Sequence, residues 1–436
     1  MKTKKLILLL GTVFSLVACG SDVTGLSGAK LLREPAKAPE FRYGYSGNYD
    51  LFKDQLKTFS NKFADKYFAK QFEDGKNQII SPLSLEMCLG LAVCGANGAT
   101  KQELLNALGV DESVLKSNYA NLVSEFNQMR ESENKEPMFQ IMSSNSIWID
   151  DDVNLKDSGL DALRDDYYCY SYHTNFSNND ANEAIAKFIE IQTKGVLKPT
   201  LNFSPLTLFV LMNTLYLKDI WNNHGTDLYF SDNPDHYFIN SDKTKSSKKL
   251  LSGYYYSGKA ISNDNYTAFH TFTDNNFKIC FIKPNEGKQL KDVFTEETMN
   301  CVLNKDNYVY KDDVKKEKYE TRCYFPEFVA ECNDSLKSIL SDDFNVKSIF
   351  DDKKCDFSNL TDETVYCNDV TQIAKLDVNK TGIEGAAVTI MDMAGSAGPG
   401  EYTTVYEDFV VNKEFGFILT YHDNVVFSGT VTNIDK

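Results

Sequence analysis

The stretch NQIISPLSLEMCLGLAVCGANGATKQELLNALG, residues 77–109, has the most decisive local pattern in the chain. Ser81 followed by Pro82 marks a helix start. The serine side chain accepts from first-turn amides, and proline lacks an N–H that would go unsatisfied there. The helix that follows is apolar nearly all round and must therefore be buried on every side. Gly95 and Gly98 stop it, and Thr100 with Glu103 has the spacing of a capping box for a second helix. GANGATK, residues 95–101, is not a phosphate loop, because its spacing is wrong and no strand leads into it.

Upstream, DLFKDQLKTFSNKFADKYFAKQF (50–72) places Leu51, Leu56, Phe59, Phe63 and Tyr67 at helical spacing and predicts an amphipathic helix. Downstream, LTLFVLMNTLYLKDIW (206–221) is a continuous apolar run with one Asn213, as expected of a strand buried on both faces. TAFHTF, FKICFIKP, TRCYFPEFVAEC and AKLDVN read as further strands. The chain closes on a hairpin, FGFILTY and VVFSGTV, joined through a short turn at His422–Asn424. Helices dominate the first half and strands the second, so the class is α+β, with one domain spanning residues 50–436.

The chain has 436 residues and a net charge of −16, which excludes a nucleic-acid or heparin-type polyanion binder. Its basic runs, Lys243–Lys249 and Lys315–Lys318, are short and read as solvated surface. Five histidines without paired metal spacing predict no metal site, and no cofactor motif is present. Nine cysteines follow Cys19 without a C-x-x-C pair, which reads as small core residues and leaves one or two bridges open.

Lys2, Lys4 and Lys5 precede an apolar run, Leu6–Val17, that ends in LVAC, residues 16–19. This resembles a bacterial lipobox. It implies a lipoprotein signal peptide over residues 1–18 and acylation of Cys19. Gly20 fits sorting to the outer membrane or cell surface. Residues 19–49 lack periodicity and are rich in Gly, Ser and Pro, so they read as a flexible tether spanning roughly 30 Å.

NKTGIEGAAVTIMDMAGSAGPGEY (379–402) fits none of these patterns, with too many glycines for a helix and too little bulk for a core strand. Ala394–Gly398 matches a permissive nucleophile elbow. That motif needs a helix after its serine, and here Pro399 and Gly400 follow, so a hydrolase is disfavoured.

Five segments resemble the serpin family. NQIISPLSLEMCLGLAVCGANGATKQELLNALG is similar to the helix that opens a serpin. FVLMNTLYLKDIW is similar to its central-sheet strand, YFPEFVAECNDSLKSIL to a later strand and helix, VTQIAKLDVNKTGIEGAA to the strand and hinge before the reactive loop, and FVVNKEFGFILTYHDNVVFSGTV to the closing strands. The resemblance implies a serpin fold, with a helix-rich first half around three β-sheets and an exposed reactive-centre loop at about 380–405. It also implies a monomeric protease inhibitor, not an enzyme, whose partner is a target protease. A protease cuts the loop, forms an acyl-enzyme, and is trapped as the loop inserts into the main sheet as an extra strand. The alternative is a non-inhibitory serpin acting as a binding or carrier protein.

By the same resemblance the hinge is Lys380, Gly382, Ile383, Glu384, Gly385, Ala386 and Ala387. Ser81, Ser84, Asn213, Trp221 and Gln372 form the shutter and breach. The reactive bond is Ser396–Ala397, with Met391, Met393 and Ala394 as alternates. Lys380 stands where the family usually has an acid, so the ionic contact there is expected to be absent or reversed. Gln372 replaces a usual histidine and is expected to hydrogen-bond Asn213. The odd positions from Ile383 to Pro399 carry no charge, whereas Glu384 and Asp392 are even, so one face of an inserted strand can be buried without burying a charge. No Lys or Arg occurs from Thr381 to Tyr406, which favours elastase-like over trypsin-like proteases.

Overall fold

A computed structural model of the chain describes residues 23–40, 47–131, 137–221, 227–384 and 402–435. Its elements begin with β1 (Ala29–Arg33), α1 (Gly47–Gln71), β2 (Gln78–Ile80), α2 (Pro82–Gly95), α3 (Gly98–Leu108) and α4 (Glu112–Glu125). Next come β3 (Asn127–Glu131), β4 (Pro137–Asp150), α5 (Asp157–Asp166), β5 (Cys169–Thr174), α6 (Asp180–Gln192) and β6 (Phe209–Ile220). The middle of the chain holds β7 (Tyr229–Phe230), β8 (Tyr237–Ile239), β9 (Lys245–Lys249), β10 (Leu251–Ser257), β11 (Ile261–Ser262), β12 (Tyr266–Phe272) and β13 (Phe277–Pro284). After α7 (Leu290–Val293) and α8 (Glu296–Leu303) run β14 (Lys311–Asp312), β15 (Glu317–Phe325), β16 (Phe328–Ser335) and α9 (Lys337–Asp343). The last strands are β17 (Thr371–Val378), β18 (Gly382–Ile383), β19 (Thr403–Val410), β20 (Phe415–Tyr421) and β21 (Asn424–Val431).

The described strands form three larger sheets and a two-stranded one, β8-β9, and α2 packs against two of the larger ones. The largest has eight strands in the order β1-β5-β4-β6-β18-β17-β16, with β3 also on β4. A six-stranded sheet runs β11-β12-β13-β20-β21-β2, and a five-stranded one runs β14-β15-β10-β7 with β19 on β15. Ser81 caps α2, its Oγ accepting from the Ser84 amide at 3.2 Å, and the helix packs against β6 and β21. In the closing hairpin His422 and Asp423 both take positive φ (47° and 71°), the two-residue turn that matches strand twist.

Two features differ from expectation, and the open question of bridges is answered. The Thr100–Glu103 capping box does not form. The Glu103 carboxylate instead accepts from Lys347 N, Ser348 N and Ser348 Oγ at 2.7–2.9 Å, and Thr100 Oγ1 accepts from Asp356 N at 3.1 Å. Residues 23–40 are not a free coil: β1 pairs antiparallel with β5, and Val23 and Leu26 are buried. The outer edge of β5 offers unpaired backbone groups, and pairing satisfies them whatever the composition of the added strand. Finally, all nine described cysteines are free thiols, so no bridge forms among them.

Candidate functional site

β17 turns back on itself through Asn379–Gly382. The Asn379 side chain shapes the turn, its Oδ1 accepting from Thr381 N at 2.9 Å and Gly382 N at 3.3 Å. The Asn379 amide donates to Gly382 O at 3.0 Å. Trp221, fully buried beyond the end of β6, ties the turn down. Its indole donates to Asn379 O at 2.7 Å and its amide to Thr381 O at 3.2 Å. Lys380 is held by its neighbours as well: its amide donates to the Glu327 carboxylate at 2.9 Å, and its ammonium meets Asp227 at 3.2 Å. The ionic contact exists with its polarity reversed.

The chain then enters the large sheet as β18, between β6 and β17. Ile383 lies opposite both Val378 and Asp219, and Gly382 lies opposite Ile220. The approach at Gly382 is so close that a Cβ there would sit 2.0 Å from the Asp219 carbonyl oxygen. Only glycine fits. Ile383 is buried, whereas Glu384, at φ 46°, is half-buried beside Tyr216, Lys218 and Asp377. Burial pushes the Glu384 carboxyl up to about 7; Lys218 and the Tyr216 hydroxyl oppose that rise, and Asp377 adds to it.

Asp219 shares the buried face with Ile383. Burial raises its carboxyl to about 6 against several hydrogen bonds, including Asn275 N at 2.9 Å, Asn275 Nδ2 at 2.7 Å and Ile220 N at 3.0 Å. Asp274 N donates to Ile220 O at 2.9 Å, and Arg130 binds Asp274 at 2.6 Å, so the turn between β12 and β13 is fastened to the mouth of the slot. Asp219 is not among the residues that the sequence pattern singled out. An acid inside the apolar run LYLKDIW was the available signal, since a buried carboxylate needs a set of donors.

β18 is antiparallel to both neighbours, so β6 and β17 run parallel to each other, and among the described residues they share no hydrogen-bonded register. This separation decides the shutter. The expected Gln372–Asn213 bond does not form. Gln372 instead accepts from Ser81 N at 2.9 Å and donates to Ser81 O at 2.8 Å. The Asn213 amide donates to Ser143 Oγ at 2.8 Å and Asn145 Oδ1 at 3.0 Å, both on β4. Ser84 Oγ donates to Asn213 O at 3.3 Å. Among the described residues Asn213 Oδ1 is left buried without a partner, an acceptor available to whatever lies between the strands.

Gly385, Ala386, Ala387, Met391, Met393, Ala394, Ser396, Ala397 and Cys19 lie outside the described residues. Beyond the loop, β19 pairs in parallel with β15 from Thr403 to Val410. Among the described residues no cluster of His, Cys, Asp and Glu could hold a metal ion, and no helix is long and apolar enough to cross a membrane.

In the main sheet the two residues of β18 are, among the described residues, all that lies between the parallel strands β6 and β17. Residues 57–434 match the family model for serpins, the serine protease inhibitors, and the chain belongs to that family. Human Serpin I2 is 25% identical over 383 residues, covering 85% of this chain and 89% of its own. The thermophilic serpin tengpin in its native state superposes with a TM-score of 0.70 at 18% identity, covering 93% of this chain and all of its own. Human thyroxine-binding globulin complexed with thyroxine has a TM-score of 0.71 at 18% identity, covering 89% of this chain and 100% of its own.

Proposed function

We propose that the protein is a surface-tethered inhibitor that traps proteases by inserting its cut loop between β6 and β17. The observation that carries this reading is the hinge: β18 already occupies the slot between two parallel strands, running antiparallel to both. Continuing its two registers by counting, Ala387 would fall between Leu215 and Ala374, and Thr389 between Asn213 and Gln372. All these positions belong to the buried face of Ile383, where Gly385, Ala387, Thr389 and Met391 bring no charge. The Thr389 hydroxyl would there meet the unpartnered Asn213 Oδ1. Trapping works because the inserted strand adds a ladder of backbone hydrogen bonds and buried side chains to a sheet that lacks them beforehand. The uncut form is then held kinetically, not at its free-energy minimum.

The loop chemistry favours elastase-like serine proteases, since a trypsin-type pocket has no cation to bind between Thr381 and Tyr406. Papain-like enzymes could engage a methionine. Acylation at Cys19 would place this trap on the cell envelope.

The test is incubation with elastase, trypsin, chymotrypsin, subtilisin and papain, followed by denaturing gel electrophoresis and mass spectrometry of the released fragment. We expect an SDS-stable complex with elastase, cleaved at Ser396–Ala397 or at Met391 or Met393, and a sharply higher melting temperature after cleavage. Cleavage without complex by every enzyme, with melting unchanged, would favour a carrier and refute the trap.

A further inference from the structure

Docking of residues 23–40 changes what an anchor at Cys19 would do. Val23 and Leu26 are buried in a cluster with Trp148, Tyr172, Phe176 and Phe188. Tyr172 donates its hydroxyl to Val23 O at 3.0 Å, and Thr174 donates to Gly28 O at 2.7 Å. The chain then pairs with β5, Arg33 binds Asp157 at 2.8 Å, and Ser124 donates to Pro39 O at 2.7 Å. Only Gly20, Ser21 and Asp22 separate Cys19 from this docked segment. Four Cα–Cα steps reach at most about 14 Å, so the tether is a short leash.

Strand register locates the leash on the body. Ala29 lies opposite Thr174, Thr174 opposite Asp150, and Asp150 N donates to Leu208 O just before β6 begins. The hinge enters the same sheet opposite Asp219 and Ile220, at the far end of β6. Some eleven residues of strand separate the two levels, about 36 Å at ~3.3 Å per residue.

We propose that the docked N-terminal segment turns the Val23 pole of the body to the bilayer and aims the hinge and reactive loop away from it. This rests on the anchored-trap reading above. Continuing the β18 register by counting, residue 393 would fall opposite Phe209, so the cut end of an inserted loop emerges at the Val23 pole. Across the sheet that exit lies four strand spacings from β1, about 19 Å at ~4.8 Å each. A protease-sized domain of roughly 220 residues has a radius of gyration near 17 Å, so its breadth of at least about 34 Å exceeds this offset. The loop therefore engages proteases on the side facing away from the membrane, and trapping delivers them to the membrane side.

The test uses the full chain, expressed with its leader in a host that acylates lipoproteins and reconstituted into phosphatidylcholine vesicles containing an energy-acceptor lipid. Elastase carrying a donor fluorophore on a surface lysine is added in two forms. A variant lacking its catalytic serine can only dock, and the active enzyme is trapped. We expect weak energy transfer from the docked form and several-fold stronger transfer from the trapped one. A second chain with a flexible Gly/Ser linker of about 20 residues inserted after Gly20, with a reach near 25 Å, should lose most of that difference. Equal transfer from both forms, or a linker chain indistinguishable from the parent, would overturn the orientation while vesicle binding and trapping stay intact. If the parent binds vesicles no better than Cys19→Ala, the proposal falls together with the anchor. If no SDS-stable complex forms, it falls together with the trap.

Discussion

Replacing Gly382 by alanine probes the hinge at its tightest point. The added Cβ would lie 2.0 Å from Asp219 O, 2.8 Å from Ile220 Cα and 2.9 Å from Asp219 C. All three atoms are backbone within or at the end of a sheet strand, so no side chain can swing aside. Overpacking of this kind costs about 1–3 kcal/mol. Relief requires β18 to lift, which exposes Ile383 and strains the bonds from Trp221 to Asn379 O and Thr381 O. The seated hinge should therefore lose about 5- to 150-fold in occupancy, at a tenfold change per ~1.4 kcal/mol. Insertion begins from that seat and races deacylation, so the variant should yield more cleaved inhibitor and less complex. The assay is the ratio of SDS-stable complex to cleaved product across elastase titrations of both chains. Trp221 is one of two tryptophans, so a change in fluorescence on lifting the turn gives an independent readout. An unchanged complex-to-product ratio together with unchanged emission would refute the assignment of Gly382 as the point of entry.

Thr389→Arg should leave cleavage intact and convert the inhibitor to a substrate, because seating the loop would bury an unpaired guanidinium between Asn213 and Gln372 at a cost of several kcal/mol; undiminished complex on gels would contradict the counted register. The Glu384 carboxyl is raised by burial from an ordinary 4.5 to about 7, so its contribution to stability is full below about 4.5 and is lost as pH rises through 7. Asp219, raised to about 6, acts in the same direction in a lower window. Glu384→Gln should therefore gain in melting temperature relative to the parent between pH 5 and pH 8, and a constant difference would exclude this role. Lys380→Glu faces Asp227 and Glu327 and should destabilise the uncut form by up to about 1 kcal/mol, the range for a half-exposed pair. Adding Asp227→Lys should restore most of it in a double-mutant cycle by denaturant unfolding, and the absence of coupling would dismiss the pair.

What the residues determined by themselves was short in range. Ser81–Pro82 starts α2 because the cap and the proline act within one turn, and the all-round apolar pattern of that helix already demands a core on every side. The closing hairpin and the apolar run of β6 were legible on the same footing, since periodicity is a property of neighbours in sequence. The family followed from five such segments read together, and with it the hinge residues. Tertiary structure decided where partners were distant. Glu103 abandons the expected cap because two amides and a hydroxyl at residues 347–348 offer it more donors than Thr100 can. Gln372 turns to Ser81, and Asn213 to β4, because β6 and β17 are held apart, which neither side chain encodes. Asp219 is tolerated in an apolar strand because Asn275, far away in sequence, supplies donors to its buried carboxyl. Residues 23–40 lack periodicity and read as coil, yet they become an edge strand because β5 presents unpaired backbone groups and α6 an apolar face. A backbone edge attracts a partner without regard to its side chains, so a strand formed at an edge leaves little trace in its own sequence.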